Sequence, residues 1–179
     1  MLKIKLNLKD ILSQPRFSIP LKILITIVVA ASILLNLFTH VIPIVKYYGD
    51  GMLPSLEAGQ ILLLTKTQDV DRGDVIAFYY NNKILVRRVI GVGGDKISLD
   101  RSGALTLNGD AVEEPYVEKA AYGQVTVEFP YNVPASHFFV MGDNRASSID
   151  SRLIEIGAIS EDRIIGRVLF SILPPKKVN

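Results

Sequence analysis

The chain has 179 residues, a formal net charge of +2, 49% hydrophobic residues and a mean hydropathy of +0.30. A charge this close to zero gives little support to nucleic-acid binding, and the lack of cysteine excludes a disulfide framework, a thiol nucleophile and a cysteine-based zinc site. The two histidines, His40 and His137, lie far apart in sequence, so we expect no metal site and no cofactor.

An apolar run near the N-terminus predicts a membrane anchor. No charged residue stands between Lys22 and Lys46, and a spanning helix needs about 20 mostly apolar residues. Pro20 suits the start of this helix and Pro43 suits its end. The expected parts of the chain are a basic tail (1–19), a transmembrane anchor (20–45) and a main domain (46–179).

Three alternatives fit this apolar run less well. A secretory signal peptide has an apolar region of only about 7–15 residues, followed by a cleavage site with small residues. A buried core helix of a soluble domain would show a polar face. A multi-pass protein would need a second long apolar run, and the sequence has none.

The basic residues around the start of this run predict its orientation. They are Lys3, Lys5, Lys9, Arg16 and Lys22, with Asp10 as the only acid among them. Since positively charged flanks tend to stay in the cytoplasm, we expect a single-pass protein of the cell membrane. Its N-terminus would be cytoplasmic, its main domain extracytoplasmic, and the lipid bilayer its first partner.

The main domain is predicted to be mainly β and antiparallel. From Gln60 onward, short β-branched and aromatic runs alternate with turn residues. Asn81-Asn82 suits a tight hairpin turn because asparagine tolerates positive φ, and only Ala158–Arg163 suggests a helical turn. The predicted strands are Ile61–Lys66, Asp74–Tyr80, Lys83–Val92, Lys96–Leu99, Ala104–Leu107, Val125–Phe129, His137–Met141 and Ile164–Ile172.

Four segments of this domain carry a family resemblance. They are Gly51–Leu56, Arg72–Phe78, Val86–Asp95 and Met141–Arg152. The last segment, taken alone, would suit a well-capped surface turn, because its side chains readily hydrogen-bond to backbone. In this order and spacing, however, the four segments resemble the conserved boxes of type I signal peptidases, and the resemblance extends over nearly the whole chain.

The resemblance implies a membrane-anchored serine protease that removes signal peptides at the outer membrane surface. Its signal-peptidase-like β-fold would carry a hydrophobic surface that rests on the bilayer. In the family, a serine directly before the Met-x-Pro segment is the nucleophile. A lysine two residues before the valine of Arg-Val-Ile-Gly is the general base, and an apolar setting keeps it neutral by lowering its pKa.

This chain departs from the family pattern at both catalytic positions, so we expect no catalytic residues of the usual kind. By position, the nucleophile is replaced by Gly51, which has no side chain, and the base by Arg87, whose guanidinium stays protonated. Gly49 stands where some members supply an oxyanion-hole hydroxyl. The other residues of the altered site would be Asp50, Met52, Ser148, which matches the lysine-orienting serine, and Asp150 and Arg152, which match a structural pair.

Asp50 is the nearest side chain that could do chemistry, since Ser55 lies four residues past Gly51 and would point elsewhere. A carboxylate can act as a nucleophile or a base, but Arg87 would stabilise its charged form and make it a poor base. A partly buried arginine also needs a partner. We therefore expect an Asp50–Arg87 ion pair in place of the serine–lysine hydrogen bond.

Three functional hypotheses follow. The first is a non-catalytic binding or chaperone-like factor in pilus assembly or protein export, similar to the degenerate signal-peptidase-like proteins of Gram-positive pilus gene clusters. Its partners would be pilin subunits, sortase or signal-peptide-bearing pre-proteins. The second is an active signal peptidase with a non-standard site involving Asp50. The third, an inactivated variant of a normal enzyme, is less favoured because two separate losses are present.

Overall fold

The computed structural model describes residues 18–41, 43–67, 69–173 and 175–177. The chain divides into two compact units, the first ending at Val41 and the second beginning at Ile42. The predicted basic tail lies almost entirely outside the described residues.

The described part of the first unit is one helix, α1 (Ser18–Val41). The hydroxyls of Thr26 and Ser32 donate to the carbonyls of Lys22 and Val28 within the helix, at 2.9 and 2.8 Å. Within the described part of the chain, no helix combines the length and the apolar character that a membrane crossing requires. This finding gives no support to the predicted transmembrane anchor over residues 20–45, which stays a prediction.

The described residues of the second unit form two antiparallel sheets, which confirms the mainly β prediction. The larger sheet has the strand order β1-β2-β11-β3-β4-β9-β10, with β12 paired to β11, and the smaller has the order β7-β6-β5-β8. The strands are β1 (Ile44–Lys46), β2 (Ile61–Thr65), β3 (Val75–Tyr80), β4 (Lys83–Val92), β5 (Lys96–Leu99), β6 (Leu105–Leu107), β7 (Asp110–Ala111), β8 (Tyr131–Asn132), β9 (His137–Met141), β10 (Ile159–Ser160), β11 (Ile164–Leu173) and β12 (Pro175–Lys177).

One sequence prediction about these elements is wrong, and another is confirmed only in part. Val125–Phe129 is not a strand, because the amides of Thr126 and Val127 both donate to the single carbonyl of Arg152 instead of entering a ladder. The segment Ala158–Arg163 contains the expected helical turn, with Ser160 at its N-cap position, but the turn is shorter than predicted. The first half of the segment pairs with β9 as strand β10, and only its second half, Glu161–Arg163, forms a 3₁₀ helix.

The β3–β4 hairpin is the element that positions the site. Its turn is Asn81-Asn82, with φ values of 44° and 59°, as the sequence predicts. The resulting register pairs Arg87 with Ile76 and Arg88 with Val75, in the middle of the large sheet. Both arginines are consequently buried, with 7% and 1% of their surface exposed.

Candidate functional site

Gly51 and Arg87 lie side by side. A Cβ atom built on Gly51 would stand 3.1 Å from Nη2 and 3.2 Å from Cζ of Arg87. Gly51 itself is buried. The guanidinium group therefore fills the space into which a side chain at position 51 would project.

The loop that carries Gly51 is fixed from both sides. The Met52 amide donates to the buried Tyr47 hydroxyl at 3.0 Å, and the Met52 side chain is fully buried in an apolar cluster. The Asn144 amide donates to the Gly51 carbonyl at 3.1 Å. These contacts join the loop after β1 to the loop after β9, so Gly51 has a defined position beside β4.

Arg87 satisfies two of its guanidinium nitrogens with backbone carbonyls. Nε donates to the Ile149 carbonyl at 2.9 Å and Nη1 donates to the Val86 carbonyl at 2.6 Å. Burial lowers the pKa of Arg87, and the negative charge of Asp150 opposes this shift. Since a guanidinium is not deprotonated in proteins, the site holds a buried cation where the family has a neutral lysine.

The expected Asp50–Arg87 ion pair is wrong. Among the described residues, no carboxylate oxygen lies within 4.0 Å of the Arg87 guanidinium. Asp50 is exposed, and it enters the loop through its backbone carbonyl, which accepts from the Leu53 amide and from Nδ2 of Asn144. The carbonyls of Ile149 and Val86 thus bind Arg87 in place of the predicted Asp50 carboxylate. Asp50 stays exposed to solvent.

Ser148 lies beside Gly51, but its hydroxyl makes no hydrogen bond to the described residues. Its side chain is buried, and no hydrogen-bond partner of Oγ is present in the described part of the chain. A Cβ built on Gly142 would fall 2.1 Å from this Oγ and 2.2 Å from the Gly51 carbonyl oxygen. Only glycine at position 142 permits this close approach.

Asp150 and Arg152 form a fully buried, two-pronged ion pair. Nε and Nη2 of Arg152 each donate to one Asp150 carboxylate oxygen at 2.9 Å. The same carboxylate accepts the Gly142 amide at 3.0 Å, and Nη1 of Arg152 donates to the Tyr122 carbonyl at 2.8 Å. The pair therefore holds the loop after β9, which carries Gly142 and Ser148.

Sequence reasoning missed two further buried arginine–carboxylate pairs near the site. Arg88 binds Asp143 through Nε and Nη2 at 2.9 and 2.7 Å, and Arg145 binds Glu114 through both terminal nitrogens. Neither acidic partner is near its arginine in sequence, so no local pattern signals the pairing. Ser55 contacts Arg88, with 3.4 Å between its Oγ and Nη2, and not Arg87.

An oxyanion-hole hydroxyl at position 49 and a metal site find no support among the described residues. Gly49 is exposed, has a φ of 108°, and has open space where its Cβ would be, so it provides no oxyanion-hole hydroxyl. Within the described ranges, no group of three or more histidine, aspartate or glutamate side chains is arranged to hold a metal ion. The site thus consists of the buried Arg87 guanidinium, the loop that carries Gly51, and the Ser148 hydroxyl, which has no partner in the described residues.

Comparison with known proteins shows which family the chain resembles. The family model described as signal peptidase, peptidase S26, matches residues 20–173. The chain is 37% identical to a signal peptidase I of Bacillus caldolyticus, covering 72% of this chain and 78% of that protein. It is 35% identical to signal peptidase I U of Bacillus subtilis (79% and 83% covered) and 33% identical to signal peptidase IB of Staphylococcus aureus (84% and 88% covered).

Among solved structures, a signal peptidase I from Enterococcus faecalis V583 matches with a TM-score of 0.48 and 27% identity. The match covers 57% of this chain and 98% of that one. The family match over residues 20–173 and the identities to the Bacillus proteins decide the assignment. The chain belongs to the signal peptidase family, peptidase S26.

Proposed function

We propose that this signal peptidase I homologue binds segments of exported proteins without cleaving them. The observation that carries the proposal is the position of the Arg87 guanidinium, 3.1 Å from the place where a Cβ of residue 51 would begin. A serine protease needs a nucleophilic hydroxyl next to a neutral base. In this chain Gly51 supplies no hydroxyl, and Arg87, at the position of the base, is a permanent cation.

The neighbouring side chains do not replace the missing groups. Asp50 is exposed and has no charged partner among the described residues within 4.0 Å, so nothing holds its carboxylate toward Gly51. Ser148 has a hydroxyl without a base to accept its proton. Both observations favour binding over hydrolysis.

The proposed ligands are signal-peptide-bearing pre-proteins in protein export, or pilin subunits and sortase in pilus assembly. The family's relatives are named signal peptidases, so an extended peptide is the ligand that the shared scaffold suits. The edge strands of the described sheets offer free backbone groups, to which an extended peptide can add as a further strand.

The unaltered chain is expected to bind a pre-protein and leave it intact. The detergent-solubilised full chain is incubated with a fluorescent pre-protein whose signal peptide ends in Ala-x-Ala, and binding and processing are followed together by anisotropy and gel electrophoresis. An Asp50→Asn variant is the matched control. Processing by the unaltered chain that this substitution abolishes would support an active, Asp50-dependent peptidase and contradict the proposal.

We further propose that the protein works at a membrane, with α1 as its attachment. The family is membrane-associated, and exposed apolar side chains that adjoin one another favour contact with a membrane or another protein. The basic residues ahead of α1 favour a cytoplasmic tail and an extracytoplasmic main domain. The large apolar side chains of α1 that are 46–68% exposed are Ile23, Leu24, Ile25, Ile27, Val28, Val29, Ile33, Leu34 and Leu35.

Cysteine labelling tests this topology cleanly, because the chain has no cysteine of its own. A Lys83→Cys variant places a thiol at the exposed β3–β4 hairpin, and a Lys9→Cys variant places one in the tail. We expect a membrane-impermeant maleimide to label the first variant in intact cells, and the second only after permeabilisation. Labelling of the tail in intact cells, or of neither variant before lysis, would contradict the topology.

A further inference from the structure

One nitrogen of the buried Arg87 guanidinium makes no hydrogen bond in the described part of the chain. Nε and Nη1 are bound to the Ile149 and Val86 carbonyls, whereas Nη2 has no hydrogen-bond partner among the described residues. Nη2 is also the guanidinium atom nearest to the Cβ position of Gly51. With 93% of its surface buried and no carboxylate within 4.0 Å in the described part of the chain, this cation lacks a direct counter-charge.

A second polar atom next to Gly51 is also unsatisfied. Ser148 is 5% exposed, and its Oγ has no partner in the described residues. A buried hydroxyl without a hydrogen bond costs roughly 1–3 kcal/mol, so a ligand that binds Ser148 Oγ would remove this cost. Nη2 of Arg87 is not among the enclosed atoms without a partner, so it is open to the same ligand.

The surroundings select a small group with one negative charge. A single guanidinium faces Gly51, and its planar donors match a carboxylate. Asp150 acts on Arg87 only through space, because both of its carboxylate oxygens are bound by Arg152. Gly49, Asp50 and Ile149, which adjoin Gly51 and Ser148 in sequence, are exposed, so this part of the site lies at the protein surface.

We propose that Arg87 and Ser148 bind the free C-terminal carboxylate of a peptide. Nη2 of Arg87 would donate to one carboxylate oxygen and the Ser148 hydroxyl to the other. This inference rests on the proposed peptide-binding function and narrows it. The ligand would be a peptide that has already been cut, with its last residue at Gly51, and not an uncut chain that continues past it.

Paired peptides test the inference. A fluorescent apolar peptide ending in Ala-x-Ala is prepared as the free acid and as the C-terminal amide, and each is titrated with the detergent-solubilised full chain. The acid is expected to bind at least about tenfold more tightly, because a hydrogen bond to a charged group is worth roughly 1.5–3 kcal/mol. Equal affinity for acid and amide would overturn carboxylate recognition while leaving peptide binding intact, whereas binding of neither would contradict the proposed function itself.

Variants at Arg87 and Ser148 test whether these two residues cause the preference for the free acid. Arg87→Gln removes the charge and is expected to abolish the preference for the acid over the amide. Ser148→Ala removes a hydroxyl that has no partner in the described residues, so the fold should survive and the preference should fall severalfold. Arg101→Gln, at an exposed arginine of another loop, is the control and should change nothing. A preference that both site variants leave unchanged would overturn the assignment.

Discussion

Joint replacement of Gly51 by serine and Arg87 by lysine is expected to create peptidase activity in this chain. The serine hydroxyl would extend into the space now filled by the guanidinium, and the shorter lysine would vacate that space. The lysine ammonium could then reach the unpaired Ser148 Oγ. Because burial already lowers the pKa of the cation at position 87, a lysine there would be shifted toward its neutral, proton-accepting form.

Neither single replacement should suffice. Gly51→Ser alone leaves a new Cβ 3.1–3.4 Å from the guanidinium atoms and no base to activate the hydroxyl. Arg87→Lys alone supplies a base without a nucleophile. A positioned general base contributes roughly 10²–10⁴-fold to a rate, so the double variant should process a pre-protein at least about 100-fold faster than either single variant.

The measurement is the initial rate of pre-protein processing by the detergent-solubilised proteins, with the cleavage point read by mass spectrometry. A triple variant that adds Ser148→Ala should lose much of the gained rate, which links the activity to the rebuilt arrangement. A double variant that unfolds at the same temperature as the unaltered chain and still does not cleave would show that more than these two positions prevents catalysis.

Replacement of Asp150 by alanine is expected to destabilise the second unit by about 3–5 kcal/mol, the usual cost of leaving one member of a buried ion pair alone. Asp150 and Arg152 are both fully buried. The carboxylate accepts two guanidinium bonds and the Gly142 amide, and the variant leaves all of these donors without an acceptor. The loss should lower the unfolding temperature by more than about 10 °C.

Thermal unfolding of the detergent-solubilised full chain, followed by near-ultraviolet circular dichroism of the tyrosines, measures this loss. Asp110→Ala is the matched control, because Asp110 is an exposed aspartate on the short strand β7. It should shift the unfolding temperature by no more than about 2 °C. Comparable shifts for the two variants would mean that the buried pair contributes little to the folded state.

Much of the architecture could be predicted from local patterns. Short β-branched and aromatic runs bounded by turn residues located the strands Lys83–Val92, Lys96–Leu99 and His137–Met141 with their observed bounds. The tight turn at Asn81-Asn82 followed from the tolerance of asparagine for positive φ. The segment Val125–Phe129 has the composition of a strand and was wrongly predicted as one, because the amides of Thr126 and Val127 bind the Arg152 carbonyl, which is distant in sequence.

The sequence by itself determined that position 51 has no side chain and that position 87 carries a permanent cation, since residue identity alone fixes both. Only the tertiary structure determined which groups bind the Arg87 guanidinium. The β3–β4 register buries Arg87 in the middle of a sheet, and the backbone carbonyls of Ile149 and Val86 take two of its donors. Asp50, its expected partner, stays in solvent because hydration of an exposed carboxylate competes with pairing. The unpaired Ser148 hydroxyl likewise depends on contacts that no local pattern encodes.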